Sequence, residues 1–340
     1  MKLLIDILHP AHVHVFRNFI SLIKKERHDV VVTARDKDVT FALLRAYKIE
    51  FIPLSKISRY KIGLALELLY RTLKLFFIAR REKPDVLLGC MGPSIVLVGK
   101  LLGIPTVVFY NNETATAVNG WVQRFATSYI TSTSFEGTVK GRHITHPSYH
   151  ELAYLHPAYF TPHKKILRDL GVQKNEKFVI VRFVSWQSSH DVGAQGITDR
   201  KAFVEELARH AQVIITSEKP LPAAFEKYRL RIAPEKLHDL LAFASLCVGE
   251  SATLACEAAC LGVPAVYIAN TLRGYTNELQ KEYELVYNFT SQDEGLRMCV
   301  ELLKRPLTKE EFSAKREKML SEKTDLTAWM VRFVEEKRWE

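Results

Sequence analysis

The sequence lacks the long apolar runs and paired cysteines that mark membrane-spanning and disulfide-stapled proteins. No stretch reaches the roughly 18 apolar residues of a spanning helix, and the apolar start MKLLIDILHP is too short for a signal peptide. The five cysteines form no CxxC pair. We therefore expect a protein that is neither exported nor transmembrane, with reduced core cysteines in the cytoplasm.

Acidic residues are too few to balance the basic ones, and most of the excess positive charge lies in the first half of the chain. The chain has 48 Lys and Arg against 38 Asp and Glu, a formal charge of +10, with 47% hydrophobic residues. Residues 1–160 carry 21 basic and 12 acidic side chains, whereas residues 161–340 carry 27 and 26. At about 100–200 residues per domain, the length predicts two globular domains, of which the first is basic.

A short apolar strand followed by a helix-length amphipathic segment is the repeating pattern of the first half. Buried β-rich runs that alternate with helices indicate a parallel sheet covered on both faces, because crossover helices bury both sides. The predicted strands are 3–8, 29–34, 50–54, 85–90, 105–110 and 128–133, and the predicted helices are near 13–26, 37–47, 61–82, 93–102 and 118–126.

The same alternation restarts after a Pro- and His-containing stretch, 146–162, that is typical of a linker. The strands predicted for the second half are 178–184, 212–216, 230–233, 246–249 and 264–269. The predicted fold class is therefore α/β, with two doubly wound parallel-sheet (Rossmann-like) domains, 1–155 and 161–324. Two such domains are expected to face a central cleft, with the carboxyl ends of their strands around it.

Three histidines follow the first predicted strand. His9, His12 and His14 lie in HPAHVH, where the strand leads into a helix. Histidines at the carboxyl end of a strand are candidate general bases or metal ligands, although no carboxylate cluster accompanies these three. The alternative is a structural role, in which backbone carbonyls satisfy the imidazoles in a tight turn.

Glu113 lies in a second polar loop, NNETATA over 111–117, after the predicted strand 105–110. A carboxylate between amide and hydroxyl side chains is suited to binding polyol hydroxyls. The alternative is ordinary capping of the next helix by Thr114 or Thr116.

A long polar loop follows strand 178–184 in the second half. About fourteen residues rich in hydrogen-bond donors, among them Ser185, His190 and Asp191, are long for a strand-to-helix connection, which favours a functional loop. Arg182, near the end of that strand, would need an anion, and a phosphate is the natural partner. Asp191 is the internal alternative.

The segment 249–264 carries the most informative pattern. A strand ends at Gly249, Ser251 or Thr253 caps the helix that follows, and the free N–H groups there suit a diphosphate. Glu257 lies one to two turns inside the helix, within reach of a ribose attached to that diphosphate. The alternative is a tight turn with Glu257 in a surface ion pair.

This segment resembles the nucleotide-binding signature of the GT-B glycosyltransferase superfamily, which includes the non-hydrolysing UDP-N-acetylglucosamine 2-epimerases. The resemblance rests on the spacing of Ser251, Glu257, Gly262 and Pro264. The whole chain is also similar to an uncharacterised, largely archaeal family with HPAHVH near its start and a Ser-His-Asp loop in its second half. The resemblance implies a GT-B fold in which the C-terminal helix, 325–340, packs back on the first domain.

The resemblance also implies how a nucleotide-diphosphate sugar, with UDP favoured, would bind. The helix start at 251–253 would hold the diphosphate with Arg182. Glu257 would hold the ribose, and the backbone of loop 232–234 would pair with the base. The residues assigned to the nucleotide sugar are Arg182, Ser185, His190, Asp191, Ile232, Ser251, Ala252, Thr253 and Glu257.

The implied chemistry is an inverting glycosyl transfer. His12 or His14 would remove the proton of the acceptor hydroxyl as this attacks the anomeric carbon, and Glu113 matches a Glu-containing loop of the superfamily. GT-B enzymes hold the leaving diphosphate with protein donors, and the sequence has no Asp-x-Asp motif. We therefore expect no metal site and no obligatory cofactor, with the nucleotide sugar as donor substrate.

The predicted helix 61–82 is unusually apolar and lies in the basic half. Seven basic and two acidic residues occur over 59–83. An apolar helix flanked by cations fits docking on an anionic membrane surface, at which a lipid-linked acceptor is found. The alternative is burial against a neighbouring helix or a dimer partner. The helix is predicted to leave a narrow polar edge of Glu67, Arg71, Lys74 and Arg81.

Three functions are consistent with these patterns. The leading hypothesis is a glycosyltransferase at the cytoplasmic face of the membrane, the second is a 2-epimerase acting on a UDP-sugar, and the third is a non-catalytic nucleotide-sugar-binding protein. A nucleic-acid partner is not expected, because the basic residues lack interleaved exposed aromatics and any known binding motif.

Overall fold

Two units make up the chain, and each has its own sheet. A computed structural model describes residues 1–57, 60–113, 116–172, 176–183, 196–217, 221–271, 273–305 and 309–340, with the backbone alone for 61 and 116–119. The first unit comprises Met1–Tyr154 and Thr324–Glu340, and the second comprises Leu155–Lys323.

The first unit alternates strands and helices along the sequence. Its elements up to the unit boundary are β1 (Lys2–Ile7), α1 (Pro10–Lys25), β2 (Asp29–Asp36), α2 (Thr40–Ala46), β3 (Ile52–Lys56), α3 (Lys61–Glu82), β4 (Val86–Cys90), α4 (Pro93–Leu102), β5 (Thr106–Phe109), α5 (Thr116–Phe125), β6 (Ser128–Ser132), β7 (His143–His146) and α6 (Leu152–Leu155).

The strands of this unit pair in the order β3-β2-β1-β4-β5-β6-β7, and all of these pairs are parallel. Helices cover both faces of the sheet. On one face Leu4 of β1 packs with Leu75 of α3 and Ile95 of α4, and on the other Phe16 of α1 contacts Phe109 of β5. The apolar runs of the sequence are thus buried on both sides, as the parallel-sheet prediction requires.

The second unit repeats the arrangement with fewer strands. Its described elements are α7 (Lys165–Asp169), β8 (Phe178–Phe183), α8 (Arg200–Ala208), β9 (Gln212–Ser217), two 3₁₀ turns (Ala223–Tyr228 and Pro234–Lys236), α9 (Leu237–Leu241), β10 (Leu246–Gly249), α10 (Ala252–Cys260), β11 (Ala265–Ile268), α11 (Gly274–Lys281), β12 (Val286–Phe289), α12 (Gln292–Lys304) and α13 (Lys309–Glu322). The strands are parallel in the order β12-β11-β10-β8-β9.

The chain then returns to the first unit through α14 (Leu326–Glu335). The Thr324 amide donates to the carbonyl of Pro147 at 2.9 Å, and the Thr327 hydroxyl donates to the carbonyl of Ala153 at 2.8 Å. Asp325 caps α14 by accepting from the Ala328 amide at 3.0 Å.

The predicted α/β class with two doubly wound parallel sheets is confirmed, and the main differences are at sheet edges. The strand predicted over 230–233 is wrong: only Arg229 forms a bridge, with Ile215, before Pro234 starts a 3₁₀ turn. Proline has no N–H with which to continue a ladder. The edge strands β7 and β12 were not predicted, because HITH lacks apolar alternation and VYNF is only partly buried. The shared cleft stays a prediction.

Helix α3 is oriented with part of its polar edge inward, which corrects the sequence prediction of an exposed polar edge. Arg71 is 3% exposed and forms an ion pair with the buried carboxylate of Asp6 on β1. Glu67 accepts hydrogen bonds from Arg35 and from Ser55. Burial alone would raise the pKa of Glu67, but these two hydrogen bonds and the charges of Arg35 and Arg71 lower it.

The apolar side chains of α3 therefore face outward. Five exposed ones follow each other at helical spacing and form one strip, which we call the α3 apolar face: Ile62, Leu66, Leu69, Leu73 and Phe77, exposed by 78%, 62%, 58%, 52% and 65%. Within the described residues, no helix has both the length and the apolarity that crossing a bilayer requires.

The buried Asp6–Arg71 pair leads to a stability prediction. Changing Arg71 to Leu leaves the Asp6 carboxylate buried without its cation, so we expect a loss of about 3–5 kcal/mol in the free energy of unfolding. Arg80→Leu, an exposed position on the same helix, is the matched control and should change it by less than about 0.5 kcal/mol. Urea denaturation of the full chain measures both, and equal effects would contradict the structural role of the pair.

Candidate functional site

Two of the predicted loops meet at one point of the second sheet. Strands β8 and β10 are neighbours whose following crossovers run to opposite sides of the sheet, and ligands of doubly wound sheets bind at the carboxyl ends of such a strand pair. Arg182 of β8 pairs in register with Gly249 of β10. The structure therefore brings the Arg182 strand end and the start of segment 249–264 side by side.

Gly249 allows the two strand ends to approach closely. A Cβ atom at this position would lie 2.1 Å from the Arg182 carbonyl oxygen, and the glycine has a φ of +150°. The next amide, that of Glu250, donates to the same carbonyl at 3.1 Å. Any other residue would force the strands apart, so glycine is required here for packing at the site.

Helix α10 begins directly beyond this contact. The hydroxyl of Ser251 caps the helix by accepting from the Leu254 amide at 3.3 Å. The amides of Ala252 and Thr253 occupy the first two helical positions, which have no acceptor within the helix. With the positive end of the helix dipole behind them, these two N–H groups suit an oxyanion.

Glu257 is buried in the same helix and has a partner that the sequence did not reveal. Its Oε1 lies 2.9 Å from Nε2 of His238 on α9, and the two residues are 6% and 2% exposed. The surface ion pair offered as the alternative is therefore wrong, because the partner is a buried histidine. A ribose that binds Glu257 would meet a carboxylate already oriented by His238.

The charges of Glu257 and Arg182 both influence the buried thiol of Cys247 on β10. Burial raises the pKa of the Cys247 thiol; the charge of Glu257 raises it further, and that of Arg182 opposes the shift.

Glu250 is a second site residue that the sequence pattern did not indicate. Its side chain is buried, accepts from the Ile197 amide at 2.9 Å, and lies 3.4 Å from the Arg200 guanidinium. Arg200 in turn lies over the ring of Phe183, 4.9 Å from its centroid. Through these contacts Glu250, which directly precedes α10, links the start of α10 to the start of α8.

Four further residues were predicted to bind the nucleotide sugar. Ser185, His190 and Asp191 lie outside the described residues, in the segment 184–195. Ile232 follows the Arg229 bridge, which runs parallel to β9, so the chain there heads towards the carboxyl edge of the sheet.

The first sheet has its own reversal of strand order, between β1 and β4. His12 follows β1 and is buried, and its Nδ1 accepts a hydrogen bond from the Leu8 amide at 3.3 Å. Burial lowers the pKa of His12 well below its ordinary value, and the charges of four surrounding groups add to this shift. His12 is therefore neutral, and its proton is on Nε2.

The other histidines of HPAHVH have different surroundings. His9 is the cap of α1, where its Nδ1 accepts from the Ala11 amide at 3.2 Å. His14 lies between two tyrosine rings, with centroids 5.1 Å from that of Tyr154 and 5.8 Å from that of Tyr47. Two residues apart on a helix, His12 and His14 point to different sides.

Glu113 follows β5, one strand further along the same edge as the β1–β4 reversal. Its Oε1 accepts a hydrogen bond from the Glu136 amide at 3.4 Å. Thr114 and the side chain of Thr116, the two residues of the capping alternative, lie outside the described residues.

A cavity of about 270 Å³ lies at the opposite, amino-terminal edge of the second sheet. Two of its cations already have carbonyl partners at helix ends: Lys177 donates to Leu303 at 2.7 Å and Arg316 donates to Cys260 at 2.6 Å. Cations at helix C-termini are stabilising in themselves. The cavity is therefore explained by helix capping and is not the candidate site.

The chain was compared with models of known protein families, and one of them matches nearly its whole length. A family model described as "Protein of unknown function (DUF354)" matches residues 1–337. The chain belongs to this DUF354 family. A comparison with curated proteins gives no match.

Solved structures resemble the DUF354 chain over nearly its full length at low identity. The UDP-GlcNAc 2-epimerase from Neisseria meningitidis bound to UDP-GlcNAc has a TM-score of 0.69 at 13% identity, with 99% of this chain and 100% of that chain covered. The UDP-GlcNAc 2-epimerase from Methanocaldococcus jannaschii has a TM-score of 0.61 at 12% identity, covering 91% and 94%.

A glycosyltransferase has the same fold. The glycosyltransferase from Streptomyces sp. SF2575, complexed with thymidine diphosphate, has a TM-score of 0.63 at 13% identity and covers 99% of both chains. At these identities the likeness concerns the fold, which is that of GT-B glycosyltransferases and UDP-GlcNAc 2-epimerases.

Proposed function

We propose that this DUF354 protein is an inverting glycosyltransferase that uses a nucleotide-diphosphate sugar, with UDP favoured as the nucleotide. The observation that carries the proposal is the convergence of Arg182, Gly249 and Ser251 at the reversal point of the second sheet. Solved structures of the same fold, bound to UDP-GlcNAc and to thymidine diphosphate, support this class of ligand.

The donor would bind to the second unit. Its diphosphate would accept hydrogen bonds from the amides of Ala252 and Thr253 and pair with Arg182. Glu257, oriented by His238, would accept hydrogen bonds from the ribose hydroxyls. Such bonds to a charged group contribute about 1.5–3 kcal/mol each.

In the transfer step the acceptor hydroxyl oxygen attacks the anomeric carbon from the face opposite the diphosphate. The bond from carbon to the diphosphate oxygen breaks, the nucleotide leaves with the electron pair, and the configuration inverts. Neutral His12 carries its proton on Nε2, so it is a donor rather than the base that the resemblance implies. We propose instead that the carboxylate of Glu113 accepts the proton of the acceptor hydroxyl.

The second candidate is a 2-epimerase acting on a UDP-sugar. It is favoured by the two epimerase structures, one of them bound to UDP-GlcNAc, that share the fold over nearly the full chain. The two activities are distinguished by their products, because an epimerase alters the free nucleotide sugar and a transferase needs an acceptor.

The first experiment tests the donor site. Purified full-length protein is titrated with UDP-, GDP- and dTDP-sugars by calorimetry, and the best ligand is measured again with Glu257→Gln and Arg182→Met. We expect each variant to raise Kd by about tenfold or more, since about 1.4 kcal/mol is tenfold. Glu301→Gln, at an exposed position on α12, is the control and should bind like the unmodified protein.

The outcomes of this titration and of a product assay decide between the functions. Labelled sugar that moves into an organic phase when membrane lipid extract is present supports the transferase, and interconversion of free nucleotide sugars supports the epimerase. Tight binding without turnover identifies a non-catalytic binding protein. Failure of every nucleotide sugar to bind would overturn the proposal.

We further propose that the acceptor is lipid-linked and that the first unit docks on the cytoplasmic face of the membrane through the α3 apolar face. The exposed cations Arg80, Arg81 and Lys83 at the end of α3 complement an anionic surface. An exposed apolar strip of this length is unusual on a protein that has no partner for it.

A liposome assay tests the docking surface. Burying one large apolar side chain contributes about 1.5–3 kcal/mol, so the double variant Leu69→Ser/Phe77→Ser should weaken sedimentation with phosphatidylglycerol vesicles at least about tenfold. Val39→Ser, an exposed apolar position outside α3, should have no effect. A change from dimer to monomer in the double variant, with vesicle binding retained, would show that the face binds a second copy instead.

A further inference from the structure

Basic groups from several elements gather at the carboxyl end of β1 in the first unit. Arg71 of α3 pairs with Asp6 near the end of β1, and His12, whose Nδ1 accepts from the Leu8 amide, directly follows the same strand. Burial lowers the pKa of His12, and the charges of His9, Lys37, His150 and Arg71 add to this shift. These groups come from the β1–α1 connection, the β2–α2 connection, the segment after β7, and α3. We call His12, Lys37, Arg71 and His150 the His12 cluster.

Two members of the His12 cluster have buried nitrogen atoms without a protein partner. Nε of Arg71 and Nε2 of His150 have no hydrogen-bond partner among the described residues. The residues are 3% and 6% exposed. Buried polar atoms are nearly always hydrogen-bonded, so two orphaned ones in a single cluster indicate a ligand.

His12 adds a third donor with a fixed direction. Because the Leu8 amide donates to Nδ1, only Nε2 of the ring is left for a ligand, and in the neutral ring that atom carries the proton. Lys37 supplies a further cation that is partly exposed and lies 3.8 Å from Asp38. A set of donors with a surplus of positive charge is complementary to an oxyanion.

We propose that the His12 cluster binds a phosphate group, held by His12 Nε2, Arg71, His150 and Lys37. A phosphate has several terminal oxygens that can accept from donors arriving from different directions, which suits four elements better than a planar carboxylate does. That this phosphate belongs to the acceptor rests on the proposed function; the phosphate site itself does not.

Occupancy of this site is coupled to protonation. In the free protein burial lowers the pKa of His150 to about 4, and burial with the neighbouring cations lowers that of His12. The acidic groups nearby are Asp6, already paired with Arg71, and Asp38 beside Lys37. A bound phosphate raises both histidine pKa values, so these histidines take up protons on binding. Because a phosphate itself gains a proton near pH 6, affinity should increase as the pH falls from 8 towards about 6.5.

The direct test is calorimetric titration of the full chain with inorganic pyrophosphate. We expect His12→Ala and Lys37→Ala each to raise Kd at least about tenfold, and His12→Gln, which keeps an N–H donor, to recover part of the loss. The matched control is Lys24→Ala, at an exposed position near the end of the same helix, which should bind like the unmodified protein. Proton uptake, from titrations in buffers of different ionisation enthalpy, should be positive for the unmodified protein.

The variant Arg182→Met distinguishes the His12 cluster from the diphosphate site proposed for the second unit. Pyrophosphate binding that survives this variant and is lost in His12→Ala belongs to the His12 cluster. Binding that is lost in Arg182→Met and unchanged in His12→Ala would overturn the proposal, and so would His12→Ala binding as tightly as the unmodified protein. Failure of nucleotide sugars to bind, with this pyrophosphate site intact, would refute the proposed function alone.

Two further titrations determine whether the phosphate belongs to a lipid or to a soluble molecule. Arg71 lies on the helix that presents the α3 apolar face, so a lipid phosphate should bind more tightly than a soluble one. Geranyl diphosphate is compared with glucose 1-phosphate, and we expect the first to have the lower Kd by about tenfold or more. Equal affinity, or tighter binding of glucose 1-phosphate, would identify a soluble phosphate and contradict the lipid source.

Discussion

Parallel strand pairing is the constraint on which both sheets depend. Parallel neighbours need a crossover connection, so the loops that lead from strands into helices all emerge at one edge of each sheet. Where the crossovers change direction, between β1 and β4 and between β8 and β10, these loops diverge and leave room for a ligand. The His12 cluster and the Arg182–Ser251 pair of loops lie at these two points.

The buried carboxylate of Asp6 determines which face of α3 is exposed on the first unit. Asp6 on the interior strand β1 is 1% exposed and accepts from Thr33, and Arg71 supplies its cation from α3. Because Arg71 and Glu67 must face the sheet, the α3 apolar face is turned to the outside. One helix therefore contributes both a donor to the proposed phosphate site and the surface proposed to dock on lipid.

The fold and half of the candidate site could be predicted from local patterns. Apolar strands alternating with helices predicted the two sheets, and the strand ends at Arg182 and Gly249 predicted the candidate nucleotide site. His238 and Glu250 were missed because their partners are 19 and 53 residues away in sequence. Periodicity indicates which residues of α3 share a face but not which face the sheet covers, so Arg71 was placed on the wrong side.

The central claim is that a nucleoside diphosphate occupies the reversal point of the second sheet. Hydrogen–deuterium exchange of the full-length protein, with and without saturating UDP, tests it without any assumption about the reaction. We predict slower exchange at the amides of Ala252 and Thr253, with no change along α13, which lies at the opposite edge of the second sheet. Protection confined to the β1–α1 connection, with the start of α10 unaffected, would contradict the account.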